Sequence, residues 1–200
     1  MQWLQQICDG AGFYSHISCE VKSLTMPNGE KFTLATDGHV LVGYQVASEN
    51  PDFPHPAREN AIKMLTRREG QEVKFSDLYE WAQAALYHNC PYCAGSGKRE
   101  ALQFNPEDGM PEEVGQEALV GILYGQPINR RLLHLALNNL KAETVTIAVV
   151  KDAKQKTEKG DYWPIQIHCA EWILCVMPMI LTGEELKDAP VFPAQLSCAP

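Results

Sequence analysis

Seven cysteines and six histidines are the side chains of this 200-residue chain best suited to chemistry, and two of the cysteines stand close together in His88-Asn89-Cys90-Pro91-Tyr92-Cys93-Ala94-Gly95-Ser96-Gly97. Two thiolates in one tight turn, with glycines that let backbone amides approach the sulfurs, present half of a tetrahedral zinc site. His88 is a candidate third ligand beside Cys90 and Cys93. Cys8, Cys19, His55, Cys198 or the same pair from a second subunit are candidates for the fourth. Without metal, the same turn is a reduced or redox-active pair. A lone CxxC does not choose between these readings.

Other chemistry is poorly served. Gly95-Ser96-Gly97-Lys98 resembles a phosphate-binding loop only in part, because Tyr92 stands where a glycine is needed and Arg99 where a Ser or Thr is needed. Asp37 and His39 flank Gly38, and Asp-Gly is turn chemistry first. His168 and Cys169 are adjacent on an expected strand, so they point to opposite faces and one cannot activate the other. No paired carboxylates, glycine-rich cofactor loop or complete metal triad stands out. The chain is expected not to be an enzyme.

The elements that must position these groups follow from periodicity. Residues 1–10 predict a short amphipathic helix with Trp3, Leu4, Ile7 and Cys8 on one face. Ile17, Cys19 and Val21 alternate with polar residues as a half-buried strand. Pro27-Asn28-Gly29 predicts a hairpin turn between that strand and the next. Lys31–Thr36 and His39–Ala47 read as two further strands. The order returns in the second half. Asn129 is a candidate N-cap, Leu132, Leu133, Ala136, Leu137 and Leu140 make the apolar face of a helix reaching about Lys141, and Thr144–Val150, Tyr162–Ala170 and Trp172–Ile180 read as strands. The charged run Lys151–Lys159 reads as a solvated loop. Helix then three strands, twice, is the plan.

Between the halves the composition changes. Ser48–Pro56 carries three prolines and reads as a linker, and Glu59–Arg68 and Ser76–His88 predict helices. The cysteine turn and an acidic stretch follow. The expected domains are 1–47 with 120–182, an insertion over 48–119, and an irregular tail over 183–200. The fold class expected is α+β.

Composition limits the function. A hydrophobic fraction of 45% supports a packed core, and 21% charged residues excludes a disordered chain. No apolar run approaches the roughly 20 residues of a membrane span, and Met1-Gln2-Trp3-Leu4 lacks the basic start of a signal peptide. No membrane partner and a cytoplasmic location are expected. The net charge of −8 argues against coating nucleic acid by bulk charge.

Two strings carry a resemblance. Ala35-Thr36-Asp37-Gly38-His39 and Val176-Met177-Pro178-Met179 resemble signatures of the bacterial sliding clamp, the beta subunit of DNA polymerase III, which reads ATDGHRL and VMPMRL there. Asn129–Leu140 resembles the second-half helix of that family, and the resemblance covers about 1–47 and 120–181. It implies a DNA-clamp domain of two helix-β-β-β halves, with the helices lining a central hole. It further implies a non-enzymatic accessory protein of DNA replication, with double-stranded DNA, replication proteins and copies of itself as partners. As a shortened single-domain relative, the chain would be of phage or prophage origin. Cys90–Gly97 in turn resembles one half of the zinc module of DnaJ-type chaperones.

In the clamp family both strings line a pocket for short partner peptides. Carried over, the pocket residues are Thr36, Gly38, His39 and Leu41 on one side, and Cys175, Met177, Pro178 and Met179 on the other. Polarizable methionines suit a groove that accepts several apolar anchors. Two departures stand out: Val40 and Ile180 occupy the places of the family's arginines. In the family the strings come from neighbouring domains, so with one domain the pocket is expected between subunits. The alternative is that both strings are structural, a tight turn and a buried strand.

Arg130, His134, Asn138 and Lys141 form one polar stripe on the second helix, and Arg130 and Arg131 sit in its first turn, where the dipole disfavours cations. A phosphate partner would offset that, which makes Arg130, Arg131, His134 and Lys141 the candidate DNA-facing residues. An ordinary solvated face explains the same spacing. Two other functions stay open: a stand-alone interaction adaptor of clamp fold without DNA binding, and a small zinc-stabilised regulator.

Overall fold

Alternation along the strands organises the molecule. A computed structural model of the chain describes residues 2–9, 21–45, 52, 55–84, 119–153, 155–158, 160–181, 183–184, 186–187 and 189–193. Within it run α1 (Gln2–Asp9), β1 (Lys22–Thr25), β2 (Lys31–Thr36), β3 (Val40–Tyr44), α2 (His55–Leu65), β4 (Gln71–Lys74) and α3 (Phe75–Gln83). There follow β5 (Val120–Leu123), β6 (Gln126–Asn129), α4 (Arg130–Leu137), β7 (Thr144–Val149), a 3-10 turn at Lys151–Ala153, β8 (Gln155–Thr157), β9 (Gly160–Tyr162), β10 (Ile165–His168) and β11 (Trp172–Val176). The fold is α+β.

Seven strands form one sheet in the order β1-β2-β3-β11-β10-β7-β4, and every neighbouring pair is antiparallel. Leaving β4 aside, the order reads inward through β1, β2 and β3 and outward through β11, β10 and β7. The two halves therefore meet back to back at β3 and β11, with Val40 opposite Val176 and Tyr44 opposite Trp172.

Period-two alternation gives the sheet two buried faces. On β11, Trp172, Leu174 and Val176 join the core that holds Leu4 and Cys8 of α1, Leu78 and Ala82 of α3, and Leu133, Ala136 and Leu137 of α4. Ile173 and Cys175 turn the other way and pack with Ala61 and Leu65 of α2. A layer of α1, α4 and α3 thus covers one face, and α2 covers the other.

The expected strand over Lys31–Thr36 is present, and its hairpin turn is made by Met26–Glu30 with Gly29 at φ 87°. The alternation expected from Ile17 lies largely outside the described residues, and β1 starts after Val21. Four departures from the sequence reading have physical causes. Pro164 has no N–H to donate to a ladder, so the strand expected over Tyr162–Ala170 divides into β9 and β10. The expected loop over Lys151–Lys159 holds a 3-10 turn and strand β8, which pairs with β9. The unanticipated hairpin β5–β6 turns at Tyr124 and Gly125, whose φ of 52° and 75° suit a two-residue turn of the type matched to strand twist. In the expected irregular tail, Phe192 donates its N–H to the carbonyl of Ile122 at 2.9 Å and buries its ring against Trp81.

Residues 55–84, the described part of the expected insertion apart from Asp52 and Leu119, are built into these layers. They supply the edge strand β4 and a helix on each face of the sheet.

Candidate functional site

Both strings end at the central strand pair. Asp37 shapes the first by accepting the amides of His39 and Val40 on one carboxylate oxygen, at 2.7 and 2.8 Å. Thr36 donates its hydroxyl to the carbonyl of Val40 at 2.7 Å and accepts from the amide of Gly38 at 3.1 Å. Gly38 has φ 90°, a conformation that side chains other than glycine's disfavour. The second string continues β11, and Met177 donates its amide to the carbonyl of His39 at 2.8 Å. The two strings are thus neighbours within one chain, joined through the β3–β11 ladder. Their adjacency needs no second subunit.

The eight residues proposed for the pocket divide by burial. Thr36, Leu41, Cys175 and Pro178 are buried. Leu41 and Cys175 are opposite one another and pack beneath α2, where the Cys175 thiol donates to the carbonyl of Met64 at 3.0 Å. Burial pushes that thiol far up from its ordinary pKa, so it stays protonated. His39 is exposed, and Gly38, Met177 and Met179 are half-buried. With Ile180, 45% exposed, they leave an apolar surface at this end of the central strands.

The stripe expected along α4 does not face solvent as one surface. Asn129 caps the helix by accepting the amide of Leu132 at 3.1 Å. Arg130 is 4% exposed and His134 7% exposed, because this flank of α4 lies against α3. The Arg130 guanidinium donates to the carbonyl of Trp81 and sits 4.9 Å from the Trp81 ring centroid. Gly121 allows the approach: a Cβ there would lie 2.6 Å from both Arg130 Cδ and the Trp81 ring. The His134 ring lies with its centroid 4.9 Å from that of Tyr79, and neither ring nitrogen has a hydrogen-bond partner among the described residues. Desolvation lowers the pKa of both groups. Of the four residues proposed to face DNA, Arg131 and Lys141 are exposed. Spacing showed that Arg130, His134, Asn138 and Lys141 share one flank; it could not show that α3 would lie against it.

On its opposite flank α4 meets α1 across a cleft of about 220 Å³. Trp3 and Ile7 form one wall, Leu132, Leu135 and Ala136 the other, and Val40 and Asp37 lie between them. Leu135, 55% exposed, is the apolar residue most out of place in water on this layer. Trp3 and Ile7 share the apolar face expected of the first helix, whereas the cleft itself is a product of packing. Leu135, standing among polar positions of an amphipathic helix, was the available signal.

The remaining groups add little chemistry. His168 points to the α2 side, with Nε2 3.0 Å from the carbonyl of Arg68, while Cys169 packs toward the opposite core. Burial lowers the pKa of His168. Cys90, Cys93, His88, Cys19 and Cys198 lie outside the described residues, and Cys8 is buried in the core on the inner face of α1. Among the described residues no three His, Cys, Asp or Glu side chains cluster closely enough to hold a metal, and no helix is long and apolar enough to cross a membrane.

No protein-family model matches the chain, and no curated protein matches it significantly.

Proposed function

We propose that this chain is a non-enzymatic accessory protein of DNA replication, built on a sliding-clamp-type domain, that works as an adaptor between proteins. Two helix-led halves that meet at β3 and β11, with α1 and α4 beside each other on one face, support the clamp-type reading. The burial of Arg130 and His134 against α3 carries the choice of adaptor. A duplex held by helices needs cations on their outer surface, and α4 with its C-terminal extension offers Arg131 and Lys141 while the chain as a whole carries −8. Half-buried Met177 and Met179 beside exposed Ile180 suit an apolar peptide better than a phosphate backbone.

A second reading keeps α1 and α4 as the lining of a ring of several copies around DNA. The side-by-side placement of the two helices on one sheet face favours it. Native mass spectrometry at near-physiological ionic strength, joined to gel filtration with nicked circular plasmid, separates the two. The adaptor reading expects an open, low-order species that leaves the plasmid whether circular or cut. A closed multimer that stays on the circle and slides off once the plasmid is linearised would replace it with the ring.

A further inference from the structure

We propose that the cleft between α1 and α4 is a docking site for a partner segment that presents an apolar anchor beside a lysine or arginine. The inference rests on the adaptor reading and gives it a surface and a partner chemistry. The walls are apolar side chains of two helices, and half of Leu135 stands in solvent at the rim. Exposed apolar surface on a helix costs solubility and stability unless something covers it. At about 220 Å³ the cleft is smaller than the roughly 300 Å³ or more of a typical small-molecule site. It suits one or two inserted side chains, as in helix-in-groove recognition.

Charge complementarity selects the neighbour of that anchor. Among the described residues Asp37 is the one charged group lining the cleft, and Asn138 and Asn139 are the other polar side chains there. One oxygen of Asp37 is held by the amides of His39 and Val40, and no cation pairs with the carboxylate among the described residues. A carboxylate fixed by its own turn, on a residue that lines an apolar cleft, is a preorganised partner for a guanidinium or ammonium group. The net charge of −8 draws basic segments toward the chain and repels phosphates. The same features disfavour nucleic acid at this surface.

Panning a random 12-residue peptide display library on the full chain tests the proposal. Selected peptides are then titrated by fluorescence anisotropy against the wild type, Leu135→Glu, Asp37→Asn and Ile180→Glu. The side-chain carbonyl introduced by Asp37→Asn can still accept both turn amides, and Leu135 and Ile180 are exposed, so circular dichroism should show all three variants folded. The expected consensus pairs a large apolar residue with Lys or Arg. Leu135→Glu should weaken binding at least tenfold, and Asp37→Asn should weaken it several-fold and abolish the preference for the basic residue. Peptides that ignore Leu135→Glu but are lost with Ile180→Glu would overturn the cleft while leaving the adaptor reading intact. No enrichment would overturn the cleft as a peptide site. Self-association of the wild type that Leu135→Glu abolishes would overturn the basic segment in favour of a second copy.

Discussion

A guanidinium as buried as that of Arg130 must find acceptors, and the one it finds is a backbone carbonyl at Trp81 rather than a carboxylate. The Trp81 ring adds a cation–π contact, and Gly121 leaves room for both. His134 is less well supplied, with both ring nitrogens unpartnered among the described residues and the ring set against Tyr79. Its neutral form is therefore the one the fold accepts. In the unfolded chain it titrates near 6.5, and burial lowers that value in the folded chain. Between the two values the unfolded chain binds the proton and the folded chain does not, so stability is full above about pH 6.5 and is lost as pH falls through the lowered value. His168 acts in the same sense. Urea midpoints are expected to fall between about pH 7.5 and pH 5, and His134→Phe should show a smaller fall. An identical pH profile in His134→Phe would remove His134 as the cause.

At the scale of elements, α4 is short and depends on its ends. Asn129 caps its N-terminus by accepting from Leu132, and the helix has no acidic residue in its first turn to offset Arg130 and Arg131. Asn129→Ala should destabilise the protein by about 1 kcal/mol, whereas Asn129→Asp, which caps equally well and adds a favourable charge, should hold or raise the melting temperature. Equal losses in both variants would mean that the cap contributes through packing instead. The amphipathic faces of α1 and α4 were legible in sequence because Leu4, Cys8, Leu133 and Leu137 repeat at helical spacing. The β5–β6 hairpin was not, because a Tyr-Gly turn is a weaker signal than Asn-Gly or Asp-Gly.

For the whole molecule, the decisive feature is that a strand and two helices from the middle of the chain complete both faces of a sheet built by its ends. α3 lies along α4 on the flank where Arg130 and His134 emerge, and it buries Leu78 and Ala82 in the shared core. Exposing the α4 stripe would therefore unpack that core as well. If duplex DNA binds at this helix, Arg131 and Lys141 are the candidate DNA-facing residues placed to meet phosphates. The slope of log K against log salt should then be no steeper than about −2, measured by anisotropy of a labelled duplex. A slope of about −3.5 would require Arg130 and His134 as well, the two cations that this arrangement keeps buried.

The sequence by itself determined the elements whose signals are local. Runs rich in β-branched, aromatic and aliphatic residues set β2, β3, β7 and β11, helical spacing set the apolar faces of α1 and α4, and the Asp37–Gly38 turn and the Asn129 cap are short-range hydrogen-bond chemistry. It also placed Trp3 and Ile7 on one helix face. Tertiary structure decided what those faces meet. That the strings are neighbours in one chain follows from the β3–β11 pairing, and that Arg130 and His134 are buried follows from the position of α3. Both are contacts between residues far apart in sequence. Periodicity reports which residues share a side, and only packing settles whether that side is covered by water or by protein.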